Sequence, residues 1–192
     1  MSMIDSQTLE DLSGAQALLL TLCRPFVRGY FDPECTVIQP EGIPHPEDDL
    51  LVHHDHMTIV LQRHHGLPVR VRVLEEHLDG DLYTRKIALL PTGSEKVVEW
   101  GICRLDLRYI PEEAKREILA KELPLGAVLI KHDVHRRVKP RYFIRLPESS
   151  AVLKMFGAPL NKEPVYGRLG TIYCDGEPCI ELLEIVVNTQ TQ

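Results

Sequence analysis

Apolar positions along the chain keep two rhythms. From Ser6 to Cys23, Leu9, Leu12, Ala15, Leu18, Leu19 and Leu22 recur at helical spacing. That predicts a helix with Asp5 or Ser6 as its N-cap and Pro25 just beyond its end. Phe31 to Pro46 is rich in proline and acids and reads as strand fragments and loop, and Asp48 to Gly66 reads as helix stopping at a glycine. The rhythm then changes. Val69, Val71 and Val73 alternate with Arg70 and Arg72, a period of two that predicts a strand over 69–77, paired with 82–90 through a hairpin turn at Asp79-Gly80. Further strands are predicted at 96–109, 136–146, 165–174 and 179–187, the last two joined at Asp175-Gly176. Pro111 to Glu122 starts with proline and predicts a helix, and a shorter helix follows from Leu125. Strands linked by tight turns, with helices set to one side, define an α+β antiparallel sheet.

Strand parity then locates charge. Tyr83, Arg85, Ile87 and Leu89 share one face, and Thr84, Lys86, Ala88 and Leu90 share the other. Arg85 thus stands among apolar and aromatic neighbours. Its guanidinium stays charged, and burying it unpaired costs several kcal/mol. It requires a protein carboxylate, solvent at the sheet edge or a bound anion, and its planar fork suits a carboxylate. On the strand alone, an ordinary ion pair or a snorkelling arginine is the stronger reading. The last strand poses the matching question. Glu184 shares a face with Ile180, Leu182 and Val186, whereas Glu181 shares the other with Leu183 and Ile185. Parity does not choose which glutamate enters a pocket.

Composition narrows the class. At 192 residues, 44% hydrophobic and 26% charged, the chain supports one globular domain with a full core. A net charge of −6 weighs against non-specific nucleic-acid binding, and no apolar run approaches the roughly 18 residues of a membrane span. The acidic, polar N-terminus does not read as a signal peptide. Five cysteines without a CxxC read as reduced thiols of a cytoplasmic protein, and Cys174 and Cys179, which flank a turn, read as strand residues. His53-His54-Asp55-His56 invites a metal, with His53 and His56 on one helix face, yet it lacks the usual zinc spacings and reads as a solvated helix or flap. The basic run from Arg136 to Arg141 has no interleaved aromatics. It reads as an exposed strand or as help for an anionic substrate.

The ordered set Met57-Thr58, Tyr83-x-Arg85-x-Ile87-x-Leu89, Pro124-Leu125-Gly126, Tyr166-Gly167-Arg168 and Gly176-Glu177-Pro178, followed by Glu184, resembles the chorismate pyruvate-lyase (4-hydroxybenzoate synthase) family. The resemblance runs from about Leu18 to Val187. It implies a single domain over 1–192 with an approximately six-stranded antiparallel sheet and helical flaps that bury a small ligand. It also implies a carbon–oxygen lyase that eliminates pyruvate from chorismate to give 4-hydroxybenzoate, with no cofactor and no metal. Arg85 would grip the ring carboxylate, backbone groups at Met57 and Leu125 would close around the same end, and Glu184 would hold the ring hydroxyl. Arg70, Arg72, Arg136, Arg137 or Arg168 would supply a second cation. The alternative is a non-catalytic sensor domain of the same fold that binds a small aromatic acid. The expected partner is thus a small molecule, with neither nucleic acid nor membrane. The sequence leaves no expected room for a DNA-reading helix-turn-helix ahead of the domain.

Overall fold

The computed structural model describes residues 6–157 and 164–187. The first helix, α1, spans Ser6–Cys23 as its spacing predicts, and the cap expected at Asp5 lies outside the described residues. The Pro- and acid-rich stretch contributes a strand, β1, at Thr36–Ile38. The single helix expected over 48–66 is two: α2 at Glu47–Leu51 and α3 at Met57–His65. Gly66 ends α3 with φ 66°, a left-handed conformation that favours glycine. His53 to His56 therefore form the link between helices, not a helix face. The expectation that His53 and His56 share one helix face falls with it.

The long strands fall close to where period two puts them: β2 at Val69–Asp79, β3 at Leu82–Pro91, β4 at Glu99–Asp106, β5 at Arg136–Leu146, β6 at Val165–Cys174 and β7 at Glu177–Val186. Helices α4 (Glu112–Ala120) and α5 (Leu125–Lys131) separate β4 from β5, and α6 (Ala151–Met155) separates β5 from β6. The strands form a seven-stranded antiparallel sheet in the order β1-β5-β6-β7-β4-β3-β2. The seventh strand is β1, too short to show an alternation.

The two faces of the sheet are covered differently. On one face, α1 lays Ala15, Leu18, Leu19 and Leu22 over Ile102, Leu169, Leu183 and Ile185 in one continuous core. On the other face the core is split. One cluster gathers Tyr83, Cys103, Leu105, Ile180 and Leu182 under α4 and α5. The second gathers Val69, Leu89, Val98 and Val186 under α2 and α3.

The split is written into the strands. Reading along this face, β3 passes from Tyr83 through Arg85 to Ile87 and Leu89. Strand β4 passes from Leu105 and Cys103 through Gly101 to Glu99, and β7 passes from Leu182 through Glu184 to Val186. On β6, Ile172 is followed by Gly170 and then Arg168. Arg85, Glu99, Arg168 and Glu184 are all buried. A polar seam thus crosses the sheet between two hydrophobic clusters. The two pairs of helices meet where α3 and α5 begin. There His56 packs on Gly126 so closely that a Cβ at 126 would lie 3.1 Å from the His56 Cβ.

Candidate functional site

Register resolves which glutamate faces inward. Glu184 pairs with Gly101 on β4, and Gly101 pairs with Ile87 on β3, so Glu184 lies on the face that carries Arg85. Glu181 is on the opposite face and pairs with Arg104 at 2.9 Å, half-buried. Arg85 and Glu184 are two strands and two residues apart, about 12 Å between Cα atoms at ordinary sheet spacings.

Glu184 has a protein partner. Arg168 on the neighbouring strand donates from Nε to Oε2 of Glu184 at 2.5 Å, and both side chains are buried. The same guanidinium donates to the carbonyls of Leu51 at 3.1 Å, His53 at 2.9 Å and Asp55 at 3.3 Å. Carbonyls at a helix end lack partners within the helix, and Arg168 supplies donors for the end of α2 and the link that follows. It ties that link to the sheet.

Arg85 is in the opposite condition. Its exposure is 0%. Nε reaches the Cys103 thiol at 3.4 Å and Nη1 reaches the Ile118 carbonyl of α4 at 3.4 Å, but Nη2 has no hydrogen-bond partner. Among the described residues no carboxylate lies within ion-pair distance of it. A buried charge left so is costly unless something else neutralises it.

Glu99 completes the seam. It is 2% exposed, and its Oε2 has no hydrogen-bond partner. Burial, and next the Glu184 carboxylate, push its pKa well above the ordinary carboxylate range, against the pull of Arg168. Burial and the neighbouring carboxylate thus favour the protonated form of Glu99 beside the Arg168–Glu184 ion pair. Sequence reasoning gave it no role. The available signal was a lone acid in the run Val97-Val98-Glu99-Trp100.

Met57 and Leu125, expected to close over the ligand, are both buried at the first turns of α3 and α5. Met57 sits in one cluster and Leu125 in the other. The residues before them, His56 and Pro124, make no side-chain cap, so the first N–H groups of both helices are left for other acceptors.

An open cleft of about 840 Å3 lies outside this junction, lined by His54, Asp55, His56, Ile59 and the chain from Asp133 to Lys139. Arg85, Glu184, Met57 and Leu125 do not line it, whereas His56 joins it to the junction. Arg136 donates from Nε to His56 Nε2 at 2.7 Å. Burial, then the neighbouring Arg136 charge, lowers the His56 pKa to about 4, so the ring is neutral and accepts. Of the cations left open by the sequence, Arg136 and Arg137 reach the cleft and Arg168 holds Glu184. Arg70 and Arg72 pair with exposed Glu95. Cys174 and Cys179 are free, buried thiols, and Cys179 donates to the Asp106 carbonyl at 3.6 Å. No helix of the described residues is long and apolar enough to cross a membrane.

No protein-family model and no curated protein matches this chain. Solved structures do. The effector domain of PhnF from Mycobacterium smegmatis superposes with a TM-score of 0.50 at 12% identity, over 71% of this chain and 90% of that one. PhnF from Mycobacterium smegmatis gives 0.50 at 13% identity, over 94% and 82%. The ligand-binding domain of a putative GntR-family transcriptional regulator from Bordetella bronchiseptica gives 0.47 at 12% identity, over 63% and 86%. At such identities the likeness is one of fold, and the fold is the chorismate lyase-like one: a single α+β domain with a seven-stranded antiparallel sheet and flanking helices.

The enzymatic expectation is corrected by the same comparisons. Two structures that share the fold at a TM-score of 0.50 are a domain described as an effector domain and the PhnF protein it comes from. The carbon–oxygen lyase reading, with chorismate as substrate and pyruvate and 4-hydroxybenzoate as products, is therefore set aside: the structures that share the fold are described by an effector domain and not by a lyase. The Glu184 carboxylate, expected to take part in proton movement, is held by Arg168.

Proposed function

We propose that this domain is a non-catalytic receptor for a small organic acid, an aromatic acid in the first instance, held in the seam beneath the junction of the two helical pairs. The single observation that carries this reading is Arg85: a guanidinium buried to 0% exposure, with one nitrogen unpartnered and no carboxylate from the described residues against it. A ligand carboxylate supplies what the fold withholds, two acceptor oxygens matched to a planar fork. The free N–H groups at Met57 and Leu125 would close on the same end. Glu184, fixed by Arg168, would border the other end. Binding then works by charge and position, and the movement it produces is set by the helices that close over Arg85.

Calorimetric titration with benzoate and 4-hydroxybenzoate tests this. Saturable binding is expected, weakened on the order of 100-fold by Arg85→Met through loss of a charged, two-point contact. Equal affinity in the variant removes Arg85 from the site. Incubation with chorismate is expected to release no pyruvate.

A further inference from the structure

The seam carries a second unpartnered group of opposite character. Two carboxyls, Glu99 and Glu184, face a single guanidinium, Arg168, which is committed to Glu184. Glu99 is therefore without a cation, as Arg85 is without an anion. Both stand on the same face of the sheet. The Glu99 carboxyl leans toward Arg85: its Oε1 lies 3.2 Å from the position a Cβ would occupy at Gly101. A side chain at 101 would crowd Glu99, the Leu183 carbonyl and Ile87, so glycine is what lets the Glu99 carboxyl lie over that strand position. Position 101 is one strand and two residues from Arg85, about 8 Å between Cα atoms at ordinary sheet spacings, a backbone separation on the scale of a benzene ring bearing one group at each end.

We infer that the seam takes a dipolar ligand, with a carboxylate at Arg85 and an ammonium at Glu99, about one aromatic ring apart. The inference rests on the acid-binding reading above and adds the second charge. Before binding, the protonated form of Glu99 is favoured. The arriving ammonium provides the cation that lets Glu99 ionise, and its carboxyl proton leaves to solvent. The titratable groups that act on or with Glu99 are Glu184 on β7, Arg168 on β6 and Cys103 on its own strand; Cys103 also contacts Arg85 on β3, and Arg168 also contacts His53 on the link. Among these, Glu184 opposes the ionisation and Arg168 favours it.

The probes are 4-(aminomethyl)benzoate and its uncharged isostere 4-ethylbenzoate, titrated into the full chain by calorimetry. The expected result is binding of the dipolar probe at least about tenfold tighter than the isostere. In Glu99→Gln the ratio of the two dissociation constants is expected to fall to about one. Repeating the wild-type titration near neutral pH in two buffers of different ionisation enthalpy reads the proton directly. Net release is expected with the dipolar probe and none with the isostere, a measurement that stands even if the variant does not fold.

Tighter or equal binding of 4-ethylbenzoate overturns the dipolar assignment and leaves the acid-binding reading intact. A preference that survives in Glu99→Gln, or an absence of proton release, removes Glu99 as the ammonium site. Failure of every carboxylate probe to bind overturns both readings together.

Discussion

Two arginines occupy the same face of the same sheet, each almost completely excluded from water: Arg85 at 0% and Arg168 at 1% exposure. Arg168 spends its donors on Glu184 and on carbonyls of the α2–α3 link. Arg85 reaches one thiol and one carbonyl, both at 3.4 Å, and leaves a nitrogen without a partner. Burial alone therefore says little about what a charged side chain does. The difference lies in what the neighbouring strand offers. Arg168 is register partner to Glu184, whereas Arg85 is register partner to Cys103. A carboxylate opposite makes an internal brace, and a thiol opposite leaves a charge for something from outside.

Removing the brace is expected to have the largest effect. Arg168→Met leaves Glu184 buried without its cation and the link carbonyls without their donor. Urea unfolding should show a loss of about 3–5 kcal/mol. A loss under about 1 kcal/mol would abolish the contrast between the two arginines.

The next effect is smaller and depends on pH. His56 has a folded pKa of about 4 against an ordinary 6.5, so between these values the unfolded chain binds more protons than the native one. Stability is expected to fall as pH drops through that window, by about 3 kcal/mol in total. His56→Gln should flatten that limb of a thermal-unfolding profile. An unchanged limb would show that the ring is not held neutral against Arg136.

The smallest effect on stability is expected at Arg85. Replacing an unpaired buried charge by an apolar side chain of similar length is neutral to about 1 kcal/mol stabilising. Arg85→Met should thus unfold at the same urea concentration as the parent or slightly higher, while losing its affinity for organic acids. A loss approaching that of Arg168→Met would mean that Arg85 too is a structural brace.

Much of this was legible in the chain. Period-two alternation placed the strands, the Asp-Gly pairs placed both hairpins, and α1 fell on its predicted span because its apolar spacing runs unbroken for five turns. Strand β1 falls within the stretch read as strand fragments, without its bounds, and helix α6 escaped, because three and five residues are too few to display a period. The break at 52–56 escaped as well. Its residues carry no glycine or proline, and the donors that hold it open come from Arg168, more than a hundred residues away.

For the site, sequence parity determined that Arg85 shares a face with Tyr83, Ile87 and Leu89, and that Glu181 and Glu184 part to opposite sides of their strand. That follows from the two-residue repeat of any strand and needs no neighbours. Only the tertiary structure decided that Glu184 points to the face with Arg85, that Arg168 already holds it, and that Glu99, favoured in its protonated form, lies beside them. Those facts depend on which strand lies next to which and in what register. Register is settled by hydrogen bonds and packing among segments far apart in the chain, which no local pattern encodes.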